Sequence, residues 1–223
     1  PHLVEWLHRY LPLSLDRADR IITVSDIVRR ELIEHFDLSE SKVCTVYEGV
    51  EKRYVPRPES QTQSVLSSFG LLHKQYVLLV ATLEPRKGID VLLDAWCLLP
   101  ESLRRAFPLV MTGSSGWKNS ALVDRITTLV ADGTVRHLGY VASDVLPILF
   151  SGAAVFTYPS VYEGFGLPVL DAMSSGVPVI CRAGTSMAEF SQGSCLLCDT
   201  GEPEELAQKL EILLESQTAR LEW

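Results

Sequence analysis

No stretch of the 223-residue sequence comes close to the roughly 20 consecutive apolar residues that a membrane-spanning helix requires. Positive charge is also scarce. Twenty Lys and Arg stand against 28 Asp and Glu, for a net charge of −8 and a pI near 5.2, which argues against a nucleic-acid backbone as partner. Five cysteines cannot all pair within one chain. Cys195-Leu-Leu-Cys198 has no second CxxC and no neighbouring histidine, so it reads as a buried strand end rather than a zinc or redox site. A reducing compartment follows, and a cytoplasmic location is expected. No Asp-x-Asp triplet is present to hold a divalent ion, and the five histidines are scattered without ligand spacing. Gly164-Phe165-Gly166 is followed by Leu167, Pro168 and Val169, so the third glycine of a dinucleotide fingerprint is missing and a nicotinamide-dependent dehydrogenase is excluded. Internal repeats and low-complexity tracts are absent as well.

What is present is apolar content, 47% of residues, arranged as alternating strand and helix. "ADRIITVS" (18–25), "DIVRRELIEHF" (26–36) and "KVCTVYEG" (42–49) read as β-α-β. Residues 50–71 carry prolines, serines and glutamines with little apolar periodicity and read as an interdomain linker. Beyond them the rhythm is steady. The strand "YVLLVATL" (76–83) is apolar almost throughout, as a parallel strand covered on both faces must be. Strands 108–113, 135–140, 154–160 and 177–182 alternate with helices 88–99, 120–132, 143–153 and 202–216. The expected fold class is α/β, a Rossmann-like doubly wound parallel sheet over 72–223. Residues 1–49 are expected to be the remnant of a preceding α/β domain. The sequence opens inside a helix, "PHLVEWLHRYLPLSLDRA", without an initiator methionine, and a fragment of a longer protein is expected.

In an open parallel sheet, ligands bind beyond the carboxyl ends of the strands. Three strand-to-helix turns then matter: Glu84-Pro85-Arg86-Lys87-Gly88, Thr112-Gly113-Ser114-Ser115-Gly116-Trp117, and Pro159-Ser160-Val161-Tyr162-Glu163-Gly164-Phe165-Gly166. Arg86 offers a planar fork of donors and Lys87 a compact charge, both suited to phosphate oxygens. The N–H groups of Phe165, Gly166 and Leu167 precede a helix with Pro168 in its first turn, an arrangement that favours an anion. Glu163 and Asp171, eight positions apart, are acceptors for hydroxyl groups. Together these groups suit a nucleoside diphosphate attached to a hydroxyl-rich moiety.

"LEPRKGIDVLLDAW", "GSSGW", "GYV" and above all "YPSVYEGFGLPVLDAMSSGVPVI" resemble the retaining glycosyltransferases of the GT-B fold, family 4, along residues 18–216. The resemblance implies an acceptor-binding domain, of which 18–49 would be the last β-α-β, and a donor-binding domain from 72 onward. It implies that Arg86 and Lys87 hold the donor diphosphate and offset charge on the leaving group. Gly113 and Gly116 would lie beside the nucleotide, and Tyr140 and Val141 would meet the base. Glu163 would lie near the transferred sugar, and Gly164, Phe165, Gly166 and Leu167 around sugar and phosphate. Asp171 takes the place of a second glutamate that contacts the ribose; its side chain keeps the charge but is shorter by one methylene. Glu48 stands where relatives often carry asparagine, before the Gly-Val of the hinge.

The function implied is metal-independent, cofactor-free transfer of a sugar from a nucleotide sugar, first of all GDP-mannose. The acceptor would be a glycan or lipid-linked molecule of surface polysaccharide biosynthesis. Peripheral association at the inner face of a membrane stays open. With most of the acceptor domain absent, this chain is expected to bind donor and transfer nothing. A non-catalytic nucleotide-sugar-binding domain and a GT-B epimerase or phosphorylase are the alternatives.

Overall fold

The computed structural model describes residues 2–114 and 120–223. The chain divides into two compact units, Pro1–Gly49 and Val50–Trp223.

In the first unit, helix α1 (His2–Arg17) precedes strand β1 (Ile21–Thr23), helix α2 (Asp26–Phe36) and strand β2 (Val43–Thr45). The two strands are parallel, with Ile21 opposite Val43. Ser25 caps α2 by accepting from the Val28 N–H at 3.3 Å, which relieves one of the orphan donors of the first turn. A small core of Leu15, Ile21 and Val43 holds the unit together.

The second unit begins with helix α3 (Glu59–Ser68), inside the segment expected to be a linker. Residues 50–71 are integral to this unit. Leu66 and Tyr54 are buried in its core, and the Arg57 N–H donates to the Ser151 hydroxyl at 2.6 Å. The helix escapes detection because only Thr62 and Leu66 on it are buried, so its sequence keeps a polar surface with almost no apolar stripe.

Strand β3 (Val77–Val80), α4 (Ile89–Leu98), α5 (Glu101–Ala106), β4 (Leu109–Thr112), α6 (Ser120–Asp132) and β5 (Val135–His137) build one half of a sheet. Helix α7 (Leu146–Gly152), β6 (Val155–Tyr158), α8 (Leu167–Ser174), β7 (Val179–Arg182), α9 (Ser186–Ser191) and β8 (Leu196–Cys198) build the other. Helices α10 (Pro203–Glu215) and α11 (Gln217–Glu222) follow.

All six strands are parallel in the order β5-β4-β3-β6-β7-β8. Every residue of β4 and β6 is buried, because helices cover both faces. The sheet core runs through Leu78, Val110, Phe156 and Ile180, with Trp96 and Leu210 contributed by α4 and α10. Cys195 and Cys198 are buried at β8, and all five cysteines are free thiols. No helix among the described residues is long and apolar enough to cross a membrane.

The connectivity reverses between β3 and β6. From β3 the chain winds outward through β4 to β5; from β6 it winds the opposite way through β7 to β8. The loops leaving β3 and β6 therefore meet at the carboxyl end of the sheet, at the reversal where ligands usually bind in such folds.

Candidate active site

Those two central strands place the charged cluster. After β3, a short 3-10 turn at Pro85–Lys87 ends at Gly88, whose φ of 65° is left-handed. A side chain at Gly88 would collide with the Pro159 carbonyl, so the turn can lie directly against the β6 loop only with glycine there. The Arg86 carbonyl accepts from the Val161 N–H at 2.9 Å and from the Ser160 hydroxyl at 3.0 Å, which locks the loops together.

Glu163 is the centre of the cluster. Its Oε1 accepts from Lys87 Nζ at 2.6 Å, from Ser160 Oγ at 2.7 Å and from the Tyr158 hydroxyl at 3.3 Å. Its Oε2 accepts from Arg86 Nη1 at 3.0 Å. Arg86 also donates to Glu84 at 3.0 Å and to the Tyr162 carbonyl at 3.2 Å, and Lys87 donates to the Tyr158 hydroxyl at 2.8 Å. The Lys87 side chain is only 8% exposed and Glu163 12%, whereas Arg86 is 44% exposed. Burial alone would raise the Glu163 pKa; hydrogen bonds from Lys87, Ser160 and Arg86 and the charge of Lys87 outweigh it and hold the carboxyl below its ordinary range. Burial and the neighbouring carboxylate drive the Tyr158 phenol far above its ordinary value, so its hydroxyl keeps its proton.

The glycine loop follows. Phe165 is buried and stacks on Phe190 with centroids 4.5 Å apart, while the Ser186 hydroxyl bridges the Glu163 and Phe165 carbonyls at 3.0 and 2.8 Å. Gly166 caps α8 at φ 110°, with its missing side chain replaced by Met187. Among the described residues, the N–H groups of Gly164, Gly166 and Leu167 donate to nothing. They stand at the positive end of α8, with Leu167 exposed.

Beside this cluster, at the end of β4, Gly113 has φ 143° and donates to the Gly139 carbonyl at 2.8 Å; a side chain there would strike the Ala81 carbonyl. Tyr140 is 81% exposed and Val141 is buried. Gly116 and Trp117 lie outside the described residues.

Asp171 stands apart from the charged cluster. It lies half-buried on α8 against Glu51, Arg53 and Tyr54. Burial, with the Glu51 charge adding to it, pushes its pKa up to about 6, against the opposing pull of Arg53 and a hydrogen bond with Tyr54. Among the described residues, no group of three or more His, Cys, Asp and Glu side chains is placed to hold a metal ion.

The structure thus joins Arg86, Lys87 and Glu163 in one network and sets the glycine loop beside it. Tyr158, Ser160 and Ser186 belong to the network although the sequence assigned none of them a role. Their one available signal was position, at the end of a strand and in the turns beyond the switch point.

The sequence profile of the family described as glycosyl transferases group 1 matches residues 68–223. The chain belongs to this family. A second profile, glycosyltransferase family 4, matches residues 2–53. Among relatives, O-antigen chain mannosyltransferase B of Escherichia coli is 38% identical over 204 residues, which are 92% of this chain and 54% of that protein. The serotype-specific mannosyltransferase WbdA of Escherichia coli is 28% identical over 79% of this chain and 22% of its own length. The chain therefore spans about half the length of the first relative, and less of the second. Among solved structures, Anabaena HepE in complex with UDP and glucose superposes with a TM-score of 0.83 at 21% identity, over 96% of this chain and 58% of HepE. WaaG, a glycosyltransferase involved in lipopolysaccharide biosynthesis, superposes at 0.80 with 20% identity, over 92% and 56%. The fold is that of the GT-B glycosyltransferases.

Proposed function

We propose that this glycosyltransferase chain carries the donor site of a retaining enzyme that takes a sugar from a nucleoside diphosphate sugar, mannose from GDP-mannose in the first instance. The observation that carries the reading is the Arg86–Lys87–Glu163 cluster at the switch point of the sheet, beside the N–H groups of Gly164, Gly166 and Leu167, which have no partner among the described residues. Two cations and a helix N-terminus form a fixed electrostatic cradle for a diphosphate, and they stabilise the negative charge that grows on it as the glycosidic bond breaks. Charge stabilisation of this kind needs no divalent ion. Glu163 accepts from sugar hydroxyls, Asp171 from the ribose, and the Gly113 and Tyr140–Val141 turns flank the nucleotide. The mannose assignment is supported by the relatives named as mannosyltransferases.

The acceptor is a glycan or lipid-linked molecule, and the complete enzyme works on surface polysaccharide from the cytoplasmic side. Transfer needs an acceptor beside the donor in a closed, water-poor cleft. This chain by itself binds donor without transferring it. Calorimetric titration with GDP-, UDP- and ADP-sugars tests the reading: GDP-mannose should bind with the highest affinity. Binding of none of them would remove the proposal, and a clear preference for a UDP-sugar would overturn the donor assignment.

A further inference from the structure

We infer that Tyr158 is a positioning residue of the donor site, whose hydroxyl fixes the Lys87 ammonium for a nucleoside diphosphate. The inference rests on the donor-site reading above and adds to it a residue that touches no substrate.

Tyr158 is the last residue of β6, 2% exposed, with its ring stacked on Phe156 at 5.9 Å and an interplanar angle of 16°. Strand and stacking leave the ring little freedom. Its hydroxyl accepts from Lys87 at 2.8 Å and donates to Glu163 at 3.3 Å.

An ammonium has three donors. In this site one goes to Tyr158 and one to Glu163, which leaves the third for an incoming anion. Lysine lacks the rigid fork of arginine, and its four-carbon stem carries large rotamer entropy. A second anchor on the ammonium removes that entropy before the ligand arrives, which is how preorganisation raises affinity. The phenol suits this role because it stays protonated: it keeps a lone pair for Lys87 and a proton for Glu163 at once. Arg86 needs no such hydroxyl, since its planar guanidinium is held by Glu163, Glu84 and the Tyr162 carbonyl.

The test is a double-mutant cycle with GDP as the titrant, measured by calorimetry on the whole chain. Tyr158→Phe keeps the ring and removes the hydroxyl. Loss of one such hydrogen bond corresponds to about threefold to tenfold weaker GDP binding. In a Lys87→Ala background the same substitution should change GDP affinity by less than about twofold, because two residues acting through one group are not additive. Equal losses in both backgrounds, or no loss from Tyr158→Phe alone, would overturn the inference. So would a Tyr158→Phe chain that no longer folds, because the hydroxyl would then be structural. If the unsubstituted chain binds neither GDP nor any nucleotide sugar, the donor-site reading itself fails and the inference falls with it.

Discussion

Glu163 and Asp171 are carboxylates eight residues apart at one end of the same helix, and their surroundings push them in opposite directions. Glu163 sits before α8 among Lys87, Arg86, Ser160 and Tyr158, and its pKa is held down despite burial. Asp171 sits one turn inside α8, where burial and Glu51 raise its pKa to about 6. The first is a charge kept ionised by two cations. The second is a carboxyl poised to change state near neutral pH. Spacing alone would treat them as a pair, yet the surroundings divide them: one sits with the cations at the switch point of the sheet, the other against the segment that opens the second unit.

Removing the lysine should break the contrast most severely. Lys87→Ala deletes a buried charge-assisted hydrogen bond and leaves Glu163 with Arg86 as its one cation. Such bonds contribute roughly 1.5–3 kcal/mol, so GDP affinity should fall about tenfold or more in calorimetry. Neutralising the acid should act differently on two ligands. Glu163→Gln frees both cations of their counter-charge and replaces a charged acceptor for sugar hydroxyls by a neutral amide. Binding of GDP-mannose should weaken about tenfold or more, in the range of one charged hydrogen bond, while binding of GDP holds or strengthens. Parallel losses for both would place Glu163 at the phosphate.

Stability sharpens the comparison further, because the signs differ. A carboxyl with a depressed folded pKa contributes stability above its unfolded pKa and loses it as pH falls through the folded value; one with a raised pKa contributes fully below its unfolded value and loses it as pH rises. Glu163→Gln should therefore lower the unfolding temperature at pH 7. Asp171→Asn should raise it at pH 7 and leave it nearly unchanged below about pH 4, the window running from the ordinary value of 3.8 to about 6. Thermal melts at both pH values decide this. The smallest effect expected is none at all: chelation with EDTA should leave GDP-mannose binding unchanged, and loss restored by manganese would contradict the electrostatic cradle.

Much of this was legible in the sequence. Runs such as "YVLLV" and "AVFTY" read as strands covered on both faces, because their shortness and their β-branched and aromatic residues separate them from a buried helix. Arg86, Lys87, Glu163 and the glycine loop were legible because each sits on a turn after a strand. The role of residues 50–71 was not, since α3 buries only two side chains and no periodic stripe marks it. Short helices such as α5, α9 and α11 span 6 residues each, too few for a period to emerge. The hydroxyl of Tyr158 and the neighbours of Asp171 were illegible for another reason. Tyr158 lies 71 residues from Lys87, and Asp171 meets Glu51, Arg53 and Tyr54 through contacts that only the folded chain creates.

The most direct measurement is calorimetric titration of GDP-mannose into the unsubstituted chain and into its Lys87→Ala form. Saturable binding by the first, weakened about tenfold or more in a folded second form, is the expected result. Equal affinity in the two, with Lys87→Ala still folded, would contradict the assignment of the charged cluster to the donor diphosphate.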